Sequence, residues 1–79
     1  MSNPATLDTL LTLAAERFGR ERASLRPDDD FFDALEIDSV DAMTLLTAVE
    51  ERFGVEIPDY EVQDVRTFTG LAAVIARRL

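Results

Sequence analysis

The 79-residue chain contains no cysteine, histidine, lysine or tryptophan. These absences exclude a thiolate nucleophile, an imidazole base, a Schiff-base amine and a Cys/His metal site. A chain of this length has room for one small core, so an enclosed enzyme active site is not expected. The sequence therefore predicts a single domain over residues 1–79 that is not an enzyme.

The chain also lacks the segments that direct proteins to membranes. Residues 1–6 have no basic region before an apolar run, and the longest apolar stretch, 71–76, is too short to cross a bilayer. Without cysteine there are no disulfides, which fits the cytosol better than secretion. We expect a soluble, cytoplasmic protein with no membrane insertion, and a monomer, because nothing in the sequence requires an oligomer.

Acidic residues are concentrated in the middle of the chain. The formal net charge is −8, yet residues 28–64 hold 13 acids against Arg52 alone, a net of −12. Such a field repels nucleic acid and anionic lipid and attracts basic protein surfaces. Nucleic acid is therefore not an expected partner. Charge alone equally allows the acids simply to solvate the surface.

Helical periodicity predicts an all-α fold. Apolar spacing indicates helices over 4–18, capped by Asn3, and over 39–53, each ended by a glycine. Val40 and Met43 widen the apolar stripe of the second helix. A short helix over 60–64 follows a cap at Asp59. Thr67 caps a last helix whose apolar side includes Leu79. The result is a four-helix bundle of three longer helices and one short one.

The long connection over 19–38 breaks the periodicity. Phe31, Phe32 and Leu35 are able to anchor it to the core, and we expect a short helical turn there. Periodicity leaves open whether the first two long helices run parallel or antiparallel. The Asp28-x-Asp30 spacing is not an EF-hand, since Asp33 stands where that loop needs glycine. Paired acids such as Glu50 and Glu51 fit a solvated helix face, and no metal site is predicted.

Ser39 stands at the start of the most apolar helix and has two interpretations. As an N-cap, its oxygen would accept an orphan backbone N–H and need no function. As a modified residue, it would place a phosphodiester at the positive end of the helix dipole. Local physics favours the cap.

The order of motifs along the chain resembles the acyl carrier protein family. The likeness covers nearly the whole chain and includes Phe18-Gly19, the Phe31-Phe32 anchor, Asp38-Ser39-Val40-Asp41, Val49-Glu50-Glu51 and Ile57-Pro58-Asp59. The resemblance implies that Ser39 carries 4′-phosphopantetheine, transferred from coenzyme A by a magnesium-dependent phosphopantetheinyl transferase. Acyl groups would be bound to this arm as thioesters. The resemblance therefore favours the interpretation of Ser39 as a modified residue over that of a plain N-cap.

The resemblance also implies partners and a cleft. Acyl-loading, ketosynthase or acyltransferase enzymes of fatty acid, polyketide or related lipid biosynthesis, with basic docking surfaces, would bind the second helix through Asp38, Val40, Asp41, Glu50 and Glu51. A core cleft for the acyl chain would be lined by Leu46, Val49, Ile57, Val62 and Val65. These five apolar side chains equally suit plain core packing.

Three positions depart from the family pattern. Glu36 replaces a usual glycine, Thr44 replaces a usual acid, and Arg52 often corresponds to an acid. These changes favour a specialised carrier over the housekeeping fatty acid carrier. A peptidyl carrier usually has histidine before the serine, where this chain has Asp38. A D-alanyl or aminoacyl carrier, and an acidic helical adaptor that binds a basic protein without an arm, remain alternatives.

Overall fold

A computed structural model of the chain describes residues 4–79. Its helices are α1 (Pro4–Phe18), α2 (Phe31–Leu35), α3 (Ser39–Phe53), α4 (Asp59–Val62) and α5 (Phe68–Arg78). A 3-10 turn spans Arg22–Ser24, and one isolated bridge pairs Asp30 with Thr67. The all-α prediction is confirmed, with three long helices and α2 as the short turn expected inside the long connection.

The helix ends follow local chemistry, with two corrections to the predicted caps. Asp38 caps α3 through a carboxylate that accepts the Asp41 N–H at 2.9 Å, so Ser39 is the first helical residue and not the cap. Asp59 is likewise the first residue of α4, because extended backbone at Pro58 precedes it. Thr67 caps α5 as predicted, accepting the Gly70 N–H at 3.0 Å. The predicted Asn3 cap lies outside the described residues.

The core lies where α1 packs against α3 and α5. Its fully buried side chains include Leu10, Leu11, Leu45, Val49, Phe68 and Ile75. Two predictions about the apolar stripes are wrong. Val40 is 71% exposed because it lies on the outward face of α3, and Leu79 is exposed because it follows the end of α5, whereas Met43, although 51% exposed, lies on the side of α3 that lines an apolar pocket.

The connection between α1 and α3 is fixed to this core. Phe31 and Leu35 are buried and Phe32 half-buried, as predicted, while Leu25 is a further buried anchor beside the 3-10 turn. The Phe31 N–H donates to the Arg66 carbonyl at 2.8 Å, and the Thr69 N–H donates to the Pro27 carbonyl at 2.9 Å. These bonds join the connection to the start of α5, where the Phe31 ring also lies 5.9 Å from the Phe68 ring.

Candidate functional site

Ser39 lies at the exposed N-terminus of α3. Asp38 takes the cap, and among residues 4–79 the structure gives the Ser39 hydroxyl no hydrogen-bond partner. The first backbone N–H groups of a helix and its dipole place partial positive charge at this point. The serine oxygen is thus free to react, at a helix end that favours a negatively charged substituent, although the neighbouring Asp38 and Asp41 carboxylates oppose this effect.

A mostly apolar pocket of about 490 Å³ opens beside Ser39, which forms part of its lining. This volume lies within the range of small-molecule sites. The walls come from α2, α3, the α4 region and the start of α5. Their apolar members include Phe31, Phe32, Ala42, Met43, Leu45 and Leu71.

The pocket divides the five residues that the sequence placed in a cleft. Leu46, Val62 and Val65 line it. Val49 and Ile57 are buried at 0% and 4% exposure and lie outside its lining, so their packing role is in the core. Sequence reasoning missed the contributions of Phe31 and Phe32, although their hydrophobicity had marked them as anchors.

The rim of the pocket carries an ordered ion pair that sequence reasoning did not identify. Arg66 Nε donates to Asp30 Oδ2 at 2.7 Å, and the guanidinium lies 4.8 Å from the Phe32 ring centroid. Asp30 also caps α2, accepting the Phe32 N–H at 2.8 Å. The hydrogen bond from Arg66, supported by those from the α2 backbone, holds the pKa of Asp30 below its usual range despite a smaller opposing effect of desolvation.

Residues 4–79 contain neither a metal-binding cluster nor a membrane-spanning helix. No group of three or more acidic side chains there is arranged to hold a metal ion. None of the helices in the same residues combines the length and apolar character needed to cross a membrane.

Comparisons with known proteins agree with this geometry. Residues 8–75 match the PP-binding family, described as "Phosphopantetheine attachment site". The chain is 38% identical over 66 residues to the acyl carrier protein of Myxococcus xanthus, covering 84% of each chain. It is 37% identical over 75 residues to that of Renibacterium salmoninarum, covering 95% of this chain and 93% of the relative. With the acyl carrier protein of Tropheryma whipplei strain Twist it shares 34% identity over 67 residues, or 85% of this chain and 82% of the relative.

The chain belongs to the acyl carrier protein family. The resemblance found in the sequence motifs is therefore confirmed.

The residues expected to bind partner enzymes in this family do not form one uniform surface. Asp38, Val40 and Glu51 are exposed, and Asp41 is half-buried. Glu50 differs from them because its Oε2 accepts the Ile57 N–H at 2.8 Å. Through that bond the Glu50 carboxylate stabilises the loop between α3 and α4.

The three departures from the family pattern have defined surroundings. Glu36 has φ 55° and ψ 49°, a left-handed conformation that explains why glycine is usual there. Its carboxylate pairs with Arg20 at 3.2 Å, so the charge that it adds beside α3 is matched by a cation. Thr44 Oγ1 donates to the Val40 carbonyl at 3.3 Å, and the Arg52 guanidinium lies 5.9 Å from the Phe53 ring centroid.

Proposed function

We propose that Ser39 carries a 4′-phosphopantetheine arm and that the protein presents acyl groups, held as thioesters on this arm, to biosynthetic enzymes. The observation that carries this proposal is the exposed, uncapped Ser39 hydroxyl beside an apolar pocket, in a member of the acyl carrier protein family. The arm supplies the thiol that this cysteine-free chain lacks.

Attachment requires a transferase and coenzyme A. The Ser39 oxygen forms a bond to the phosphorus atom that bears pantetheine, the phosphoanhydride bond breaks, and 3′,5′-adenosine bisphosphate leaves while the hydroxyl proton passes to a base of the transferase. The protein contributes an accessible nucleophile and a helix N-terminus that favours the resulting phosphodiester charge. It acts as a cosubstrate of other enzymes and catalyses no step itself.

The pocket is a shelter for the acyl chain. Leu46, Val62 and Val65 offer apolar contacts in the cavity that Ser39 borders. Each methylene that leaves water for such a wall gains about 0.8 kcal/mol. Widening the α3–α4 region around a longer chain would disturb close packing, which offsets part of this gain.

Enzymes with basic surfaces dock on the outward face of α3. Asp38, Asp41 and Glu51 supply charge there, and Val40, at 71% exposure, supplies an apolar contact. Thr44 and Arg52 make this face less acidic than the family pattern, which supports a specialised carrier of a polyketide or other lipid pathway.

Asp41→Lys is expected to raise the KM of a partner enzyme and to flatten the salt dependence of that KM. Glu21→Lys, an exposed control outside α3, is expected to leave both unchanged. Equal kinetics for the two variants would contradict docking on α3.

Intact-mass measurement tests the arm itself. The purified protein is incubated with coenzyme A, magnesium and a broad-specificity phosphopantetheinyl transferase, beside Ser39→Ala and Ser24→Ala. Wild type and Ser24→Ala, which loses another exposed serine, are expected to gain one phosphopantetheine, and Ser39→Ala none. No gain on folded wild-type protein, with its dedicated transferase included, would refute the proposal and favour an adaptor without an arm.

A further inference from the structure

Arg66 is the one basic side chain among the residues that line the pocket. Two contacts hold its guanidinium at the rim, the Nε bond to Asp30 at 2.7 Å and a cation–π contact in which Cζ lies 4.8 Å from the Phe32 ring centroid. Its terminal nitrogen atoms have no hydrogen-bond partner within residues 4–79, and the side chain is 62% exposed. A guanidinium held in this way offers several N–H donors of defined direction.

The surrounding charges restrict which acceptor groups these donors can bind. Asp30 already neutralises Arg66, and Asp59 and Asp64 line the same pocket. A carboxylate on the cargo would therefore meet a rim of net negative charge and be repelled. A neutral carbonyl oxygen accepts a hydrogen bond without that repulsion, and a simple alkyl chain leaves the donors unused.

We propose that Arg66 selects among acyl groups, favouring those with a keto oxygen beyond the thioester over plain alkyl groups and over groups that end in a carboxylate. This inference rests on the proposed attachment of the arm to Ser39, which borders the same pocket. Arg66 hydrogen-bonds to the keto oxygen, while the alkyl part of the same group contacts Leu46 and Val62.

The experiment compares cargo on one protein. Wild type, Arg66→Gln and Arg66→Lys are loaded by the transferase from hexanoyl-, 3-oxohexanoyl- and glutaryl-coenzyme A, and intact mass confirms each product. Arg77→Gln, which removes an exposed arginine near the C-terminal end of α5, is the matched control. The melting temperature of every loaded protein is then measured.

The informative quantity is the melting temperature with 3-oxohexanoyl minus that with hexanoyl. This difference is expected to be higher in wild type and Arg77→Gln than in Arg66→Gln by about 4 °C or more, as one charge-assisted hydrogen bond in a domain of this size predicts. Arg66→Lys retains only part of it, since an ammonium lacks the planar fork. Each difference is taken between two cargoes on the same variant, so the change in stability caused by losing the Arg66–Asp30 ion pair cancels.

Three results would overturn the inference. Equal differences in wild type and Arg66→Gln would show that Arg66 does not sense the keto oxygen, and greater stabilisation by glutaryl would show selection for a carboxylate. In both cases the mass gain would leave the carrier proposal intact. Failure of every variant to load would overturn both proposals together.

Discussion

The left-handed conformation of Glu36 provides a sharp test of the structure beside Ser39. Glu36 is the only non-glycine residue within residues 4–79 with a positive φ, at 55°. A residue with a Cβ atom costs about 1–2 kcal/mol in this region. Glycine avoids that cost, but its greater conformational freedom in the unfolded chain lowers the free energy of unfolding by about 0.4–1 kcal/mol.

Glu36→Gly and Glu36→Ala separate the backbone effect from the ion pair. Both variants remove the ion pair with Arg20. The side chains of Arg20 and Glu36 are 37% and 76% exposed, so this loss costs at most about 1 kcal/mol and is the same in both variants. The Arg20 bond to the Leu35 carbonyl, at 3.0 Å, does not need the Glu36 side chain in either variant. Glu36→Gly is therefore expected to be more stable than Glu36→Ala by about 1 kcal/mol, the difference between the strain and entropy costs.

Urea denaturation followed by circular dichroism measures this difference, and thermal melting should show it as about 4–8 °C. The slope of the free energy of unfolding against urea concentration should be the same for both, because the buried surface is unchanged. Equal stability of the two variants, or greater stability of Glu36→Ala, would refute the left-handed conformation at this position.

Four further variants test contacts around the site. Asp38→Ala should destabilise the fold by about 1 kcal/mol in urea denaturation, whereas Ser39→Ala should change it by less than about 0.5 kcal/mol; the reverse order would return the cap to the serine. Glu50→Gln, which replaces the charged acceptor of the Ile57 N–H by a neutral one, should cost about 1 kcal/mol, and an unchanged urea midpoint would contradict that bond. The lowered pKa of Asp30 stabilises the fold above about pH 4, and this contribution is lost as the pH falls through the folded-state value. Asp30→Asn should therefore lose less stability than wild type between pH 6 and pH 3, and equal losses would contradict the ion pair.

The long helices were predictable because their boundaries have strong local causes. The spacing of apolar residues locates α1 and α3, and glycine follows each of them in a left-handed conformation that ends the helix at low cost. Thr67 was likewise identifiable because it is a good capping residue directly before an apolar run. Such features depend on neighbours in sequence, which the chain itself displays.

The caps of α3 and α4 show where local chemistry is ambiguous. Asp38 and Ser39 are both good capping residues, and a shift of one position decides which side chain accepts the orphan N–H. Asp59 is equally suited to a cap and to the first turn of a helix, where acids are favourable. The sequence locates such a boundary to within one residue, but the identity of the cap depends on the entry angle of the chain.

The pocket was only partly predictable because apolar side chains look alike in sequence. Leu46 lines the cavity and Val49, on the same helix, is fully buried in the core, although both belong to one apolar stripe. Arg66 offered no signal at all, since its position depends on Asp30 and Phe32, which lie more than 30 residues earlier. Separating a cavity from a core requires knowing how α2, α3, the α4 region and α5 surround the cavity.

The Asp38-Ser39 pair itself has a physical rationale in the structure. A helix start needs a side-chain acceptor, and a serine that met this need would hold its oxygen against the backbone, away from a modifying enzyme. Asp38 meets the need at 2.9 Å and leaves Ser39 as the first helical residue, with an exposed hydroxyl. The acid thus stabilises α3 while the serine keeps its reactivity. Reversing the two residues would preserve composition and charge, yet it would exchange these roles and remove the nucleophile from the pocket mouth.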